Sequence, residues 1–184
     1  MFQLNHTSHL DKASLYDQLT TDVLQLFQEE RDFLANTANL TSLLYYTLPD
    51  LNWCGVYLNR DGELVLGPFQ GKPACIRIAF GKGVCGTAAD TNQSVVVEDV
   101  HEFPGHIACD ADSRSEIVIP LIKGKHLIGV LDLDSPKTAN FDQQDRESLE
   151  SLVDMYLTMT DMPDHLQADH LPSAQKKKGE TKKK

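Results

Sequence analysis

No apolar run in the sequence approaches the roughly 20 residues that a membrane span needs, so a transmembrane helix is excluded. The opening, MFQLNHTSHLDK, has no cationic segment followed by an apolar one. A secretory leader is therefore not expected, and the cytoplasm is the expected location. Positive charge is scarce: 17 Lys and Arg against 27 Asp and Glu give a formal net charge of -10. That balance argues against nucleic acid as a partner. The lysines are also concentrated, with six Lys and one Glu between Lys176 and Lys184. A charge run at a terminus reads as a solvated, flexible tail, here drawn over 161–184. Cysteine is limited to four residues, with no C-x-x-C pair. His101, His106, Cys109 and Cys85 would supply four donors, but their spacing matches no common zinc site, and no metal or cofactor is expected. There is no internal repeat.

What remains is a chain of 184 residues with 41% hydrophobic and 24% charged residues, enough to bury one core. Apolar residues recur at helical spacing from Asp11 to Arg31 (Leu15, Leu19, Val23, Leu24, Leu26, Phe27). They recur again from Asp32 to Leu48 (Phe33, Leu34, Leu40, Leu43, Leu44), ending at Pro49. Core packing, with or without a dimer seam, accounts for both. Strands are predicted over 52–59, 63–66, 75–80 and 94–97, with a short helix after Gly81–Gly86. The clearest hairpin joins 116–122 to 126–134 through Lys123-Gly124-Lys125. Asp142 caps a last helix, from Gln143 to about Thr158, with Leu149, Leu152, Val153 and Tyr156 inward. The order predicts an α+β fold, an antiparallel sheet with helices on one side. The segment from His101 to Arg114 is too polar and irregular for a regular element, and loops of that length are usually functional or mobile.

In a reducing compartment, four cysteines read as catalytic, metal-binding or buried, not as structural disulfides. Cys109 lies in a polar loop without apolar periodicity and is expected to be partly exposed. Cys85 sits at the mouth of the short helix, where free amides lower a thiol's pKa. Cys75 stands at a strand start, as a spare or packed thiol, and Cys54 reads as core. A redox pair of Cys109 with Cys85 is favoured over metal binding. Glu116 opens one arm of the hairpin, and Asp132 and Asp134 close the other, on one face. These acids read either as strand ends facing water or as an acidic nook for a cationic group, in which crowding raises one pKa.

The pieces NWCGVYL, LGPFQGKPACIRIAFGKGVCGTAA, VEDVHEFPGHIACDADSRSEIVIPL and GVLDLDSP resemble a GAF domain. More narrowly, they are similar to the free methionine-(R)-sulfoxide reductases. The resemblance implies a single GAF domain over 1–160, with N-terminal helices over 11–48 and a catalytic core over 52–158. It implies a central sheet of about six strands, with the N- and C-terminal helices packed on one side. It further implies an oxidoreductase that reduces free L-methionine-(R)-S-oxide with thioredoxin as reductant. Cys109 then matches the nucleophile that becomes a sulfenic acid, Cys85 the resolving thiol of a Cys85–Cys109 disulfide, and Cys75 a third thiol able to join the relay. Glu116, Asp132 and Asp134 match the substrate-binding acids, with Glu116 and Asp134 nearer the sulfoxide oxygen and Asp132 nearer the ammonium. Trp53 matches a pocket wall for the methyl group, and Tyr57 lines the same cavity. Amides of Gly83–Gly86 face the substrate carboxylate. A homodimer is compatible with the pattern. The rival reading is a GAF module that senses a small ligand without turnover.

Overall fold

Asp11 and Asp32 each open a helix. Their carboxylates accept the backbone N–H of Ser14 and of Ala35 at 2.8 Å, satisfying first-turn donors. The computed structural model, which describes residues 2, 7, 9–105 and 111–167, thus begins with α1 (Lys12–Phe27) and α2 (Phe33–Thr47). Leu15, Leu19, Val23 and Phe27 bury one stripe of α1. Leu24 and Leu34, expected inward, are instead 48% and 62% exposed. Both lie roughly 100° or more around their helix from the centre of its buried stripe, so they cannot share it.

Six strands follow in one antiparallel sheet: β1 (Trp53–Arg60), β2 (Glu63–Gly71), β3 (Arg77–Ala79), β4 (Val95–Val97), β5 (Ser115–Lys123) and β6 (His126–Ser135). Their order is β3-β2-β1-β6-β5-β4, so chain neighbours pair except where β1 meets β6. β2 runs past the predicted end at Leu66, through Gly67 and Pro68. The register slips between Gly55 and Tyr57, which places Pro68 at a bulge that needs no ladder donor.

Alternation divides the sheet into two faces. Cys54, Val56 and Leu58, with Ile117, Ile119, Leu131 and Leu133, join the core under α1, α2 and α4 (Gln143–Met159). Trp53, Tyr57, Val118 and Val130 belong to a second cluster that packs with α3 (Gly83–Thr91). The N- and C-terminal helices therefore share one side, as predicted, and α3 covers the other. Asp142 and Asp145 form a reciprocal capping box at the start of α4. Lys12 pairs with both carboxylates, at 2.8 and 2.6 Å, and Tyr16 donates to Asp145 at 2.9 Å, fastening α1 to that start.

Packing continues past residue 160. The Asp161 N–H donates to the Arg31 carbonyl at 2.9 Å, and its side chain pairs with the Arg31 guanidinium. Met162 and Leu166 are buried, the latter on α5 (Asp164–Gln167). Apolar burial, invisible in so polar a stretch, holds 161–167 to the body. The lysine-rich run lies outside the described residues. Of the segment His101 to Arg114, a 3-10 turn (Val100–Glu102) is described and 106–110 is not. Among the described residues no helix is long and apolar enough to cross a membrane.

Candidate active site

Ile117, Ile119 and Leu121 of β5 and Leu131 and Leu133 of β6 feed the helical core, so Glu116, Asp132 and Asp134, at the alternate positions, point to the α3 face. Register then brings them together. Glu116 lies opposite Asp134, which on its other side lies opposite Trp53, and Gly55 lies opposite Asp132. Trp53, Glu116, Asp132 and Asp134 line a cleft that opens to solvent, with Tyr57, Cys85 and the first turn of α3.

Trp53 forms one wall and is 2% exposed. Its indole stacks on Phe69 at 5.5 Å and on Tyr57 at 5.8 Å, and its Nε1–H donates to the Lys72 carbonyl at 3.1 Å. Gly55 makes this possible. A Cβ there would lie 2.3 Å from Trp53 Cη2 and 2.6 Å from Phe69 Cβ. The indole lies across the sheet because residue 55 has no side chain. Gly55→Val is expected to cost about 1–3 kcal/mol, or roughly 3–10 °C in Tm, and to weaken ligand binding as the indole is displaced. Calorimetry and a ligand titration on the folded variant check both effects.

The other wall is polar and almost dry. Glu116, Asp132 and Cys85 are 6%, 5% and 4% exposed. Cys85 Sγ lies 3.9 Å from Glu116 Oε1, and one donor atom from each of the three residues falls within 4.8 Å of the others. Burial first, then the charges of Asp132 and Asp134, raise the Glu116 carboxyl well above its ordinary range. Burial raises Asp132 to about 7, against the opposing hydrogen bonds of Cys85 and Glu116. One proton shared between these two acids is the natural state near neutrality. Asp132 Oδ1 is buried without a hydrogen-bond partner.

Cys85 departs from its sequence reading. Burial and the neighbouring acids raise its pKa well above normal, which outweighs the helix terminus expected to lower it. It is a free, buried thiol, as is Cys54, which packs on the helical face of β1. Cys75 is half-buried and disulfide-bonded. The expected Cys85–Cys109 pairing is thus not the bond this structure holds, because Cys85 carries no disulfide. Cys109 and His106 lie outside the described residues, and His101 is exposed. The Cys75 carbonyl accepts the Tyr57 hydroxyl at 3.1 Å, so one side chain both lines the cleft and holds this cysteine's backbone.

At α3, Gly83 has φ +60°, a conformation that favours glycine, and Lys82 at the N-cap makes no side-chain hydrogen bond to the first turn. First-turn amides uncapped by a side chain offer an anion a landing point. Ser113, missed from sequence, is buried in the cleft wall, where its Oγ accepts the Asn52 amide at 3.0 Å. Gly55 was also missed. The signal available was a glycine in a strand, which marks a close approach.

The GAF domain family model matches residues 14–156. The chain is 52% identical over 144 residues to the "Free methionine-R-sulfoxide reductase" of Escherichia coli (strain K12), a match covering 78% of this chain and 87% of that one. It is 43% identical over 159 residues to the protein of that name from Saccharomyces cerevisiae, covering 82% and 88%. Among solved structures, free methionine-R-sulfoxide reductase from Neisseria meningitidis in complex with its substrate superimposes with a TM-score of 0.81 at 42% identity, covering 86% of this chain and 94% of that one.

Proposed function

The chain belongs to the GAF domain family, among its free methionine-R-sulfoxide reductases, and on that premise we propose how its residues reduce free methionine-R-sulfoxide to methionine. The observation that carries this reading is the pair of walls. An indole faces a buried, partly protonated acid cluster across one cleft. A zwitterion with an apolar methylthio end and a basic S=O oxygen needs such a site. Asp132 Oδ1, buried and without a partner, takes the substrate ammonium. The first-turn amides of α3 take the carboxylate, and Trp53 takes the S-methyl group. Glu116, with Asp134 beside it in the ladder, protonates the sulfoxide oxygen.

Cys109 supplies the nucleophile. Only three residues intervene between it and Ser113 on the cleft wall, a covalent reach of at most about 14 Å. Its sulfur attacks the sulfoxide sulfur, the S–O bond breaks, and methionine leaves. The oxygen and one proton remain on Cys109 as a sulfenic acid. A second thiol condenses with it, forming a disulfide and releasing water. We assign that resolving role to Cys75 in place of Cys85. Cys75 is the cysteine found in a disulfide, whereas Cys85 is a free, buried thiol whose pKa burial and the neighbouring acids raise. A dithiol protein of the thioredoxin type then reduces the disulfide by exchange. This cycle suits the reducing cytoplasm. A homodimer joined through the helical layer would cover Leu24, Leu34 and Tyr46, all exposed on α1 and α2. Sedimentation tests that.

Separated R and S epimers, with thioredoxin, its reductase and NADPH, test the function. Turnover of the free R epimer alone is expected, and binding without turnover would make the chain a sensor. Blocking the substrate amine should lower kcat/KM by roughly 5- to 150-fold, because an acid buried without its partner costs about 1–3 kcal/mol. Cys75→Ser should release about one equivalent of methionine per site and then stall, whereas Cys85→Ser should continue to cycle. A stalled Cys85→Ser with a cycling Cys75→Ser would return the resolving role to Cys85.

A further inference from the structure

Cys85 has no redox part in the cycle above, yet it is buried with two acids and carries a free thiol. We propose that Cys85, Glu116 and Asp132 form an inhibitory site for a thiophilic divalent cation of the zinc class. A tetrahedral ion held at about 2.3 Å from sulfur and about 2.0 Å from oxygen spaces two oxygens by roughly 3.3 Å and sulfur from oxygen by roughly 3.5 Å. The 3.9 Å between Cys85 Sγ and Glu116 Oε1, and the 4.8 Å within which all three donor atoms fall, are close to that frame. Small side-chain rotations close the difference. One sulfur with two carboxylate oxygens selects Zn²⁺, Co²⁺ or Cd²⁺ over Mg²⁺ and Ca²⁺, which require larger all-oxygen shells.

A second observation points to the same ligand class. Asp132 is 5% exposed, lines the cleft, and leaves Oδ1 without a hydrogen-bond partner. Burying an acceptor in that state is costly unless something electropositive completes it. The substrate ammonium does so in turnover, and a dication does so in its absence, cancelling two of the charges its three ligands would carry. All three donor residues line the cleft, so an ion held there occupies space that the substrate needs. The ion is therefore an occupant that competes with substrate, and no step of the reaction uses it. The proposal rests on the substrate reading only for that competition.

The test uses the full-length protein in its disulfide form, in which Cys75 cannot act as a ligand and Cys85 remains free. Titrating metal-free protein with CoCl2 is expected to give a thiolate-to-cobalt charge-transfer band at one equivalent, lost in Cys85→Ser and displaced by ZnCl2. Asp132→Asn, which keeps the shape of the site, should weaken cobalt binding by about tenfold or more. Free methionine should raise the apparent Kd for cobalt. No band in folded wild type, a band of equal strength in Cys85→Ser, or unchanged affinity in Asp132→Asn would overturn the site. Methionine that binds by calorimetry without displacing cobalt would overturn it too. Methionine that does not bind at all would sink the substrate reading, leaving the cobalt band and its loss in Cys85→Ser to decide the metal site.

Discussion

Glu116→Gln is expected to lower kcat by about 10²–10⁴-fold while making the protein more stable at neutral pH. The two effects share a cause. Glu116 is 6% exposed, and burial beside Asp132 and Asp134 holds its carboxyl well above the ordinary value of 4.5. A neutral acid at pH 7 has a proton to give to a sulfoxide oxygen, and glutamine has none. The stability effect follows from linkage. Below about pH 4 both folded and unfolded chains hold this proton, and burial of the ionised form costs nothing. As pH rises through the unfolded value of 4.5, the unfolded chain ionises while the folded chain keeps its proton, so stability falls. Glutamine cannot ionise and escapes that loss. The Tm of Glu116→Gln over wild type should therefore be near zero at pH 4 and widen toward pH 7. Scanning calorimetry at the two pH values, with single-turnover kinetics, reads both. A Tm difference independent of pH would remove the buried neutral acid from the mechanism.

Cys109→Ser is expected to abolish methionine release, by at least about 10⁴-fold, with the affinity for free methionine unchanged. A serine hydroxyl is not ionised near neutrality and is a poor nucleophile toward sulfur, so no sulfenic acid forms and no oxygen is transferred. Binding should survive because Trp53, Glu116, Asp132 and Asp134 stand on the paired strands β1, β5 and β6. The comparison with Cys75→Ser is decisive. That variant should give one equivalent of methionine and a sulfenic acid that a dimedone-type reagent traps, whereas Cys109→Ser should give neither. One equivalent from Cys109→Ser in a rapid-quench experiment would move the nucleophile to another thiol.

Much of this site was readable from local pattern. Asp132 and Asp134 stand at even positions on either side of Leu133, and side chains two apart on a strand share a face whatever the rest of the chain does. Asp11, Asp32 and Asp142 precede helical periodicities, and a capping carboxylate acts within three residues. Pro68 and Leu24 were harder for an instructive reason. The proline sits in β2 only because a bulge opposite Gly55 and Tyr57 spares its missing donor. Leu24 is exposed because the packing of α1 selects a stripe centred elsewhere.

By itself, the sequence determined the sheet-and-helix composition, the face on which each acid stands, and the family, because these depend on neighbours within a few residues and on motif identity. The tertiary structure alone decided how the cysteines divide, with Cys85 free among the acids and Cys75 in a disulfide. It also decided that the Cys85 pKa moves up despite its helix terminus. Both depend on through-space distance and on dielectric. For Cys85 those are set when α3 packs on β5 and β6, a contact between segments well apart along the chain that no local pattern records.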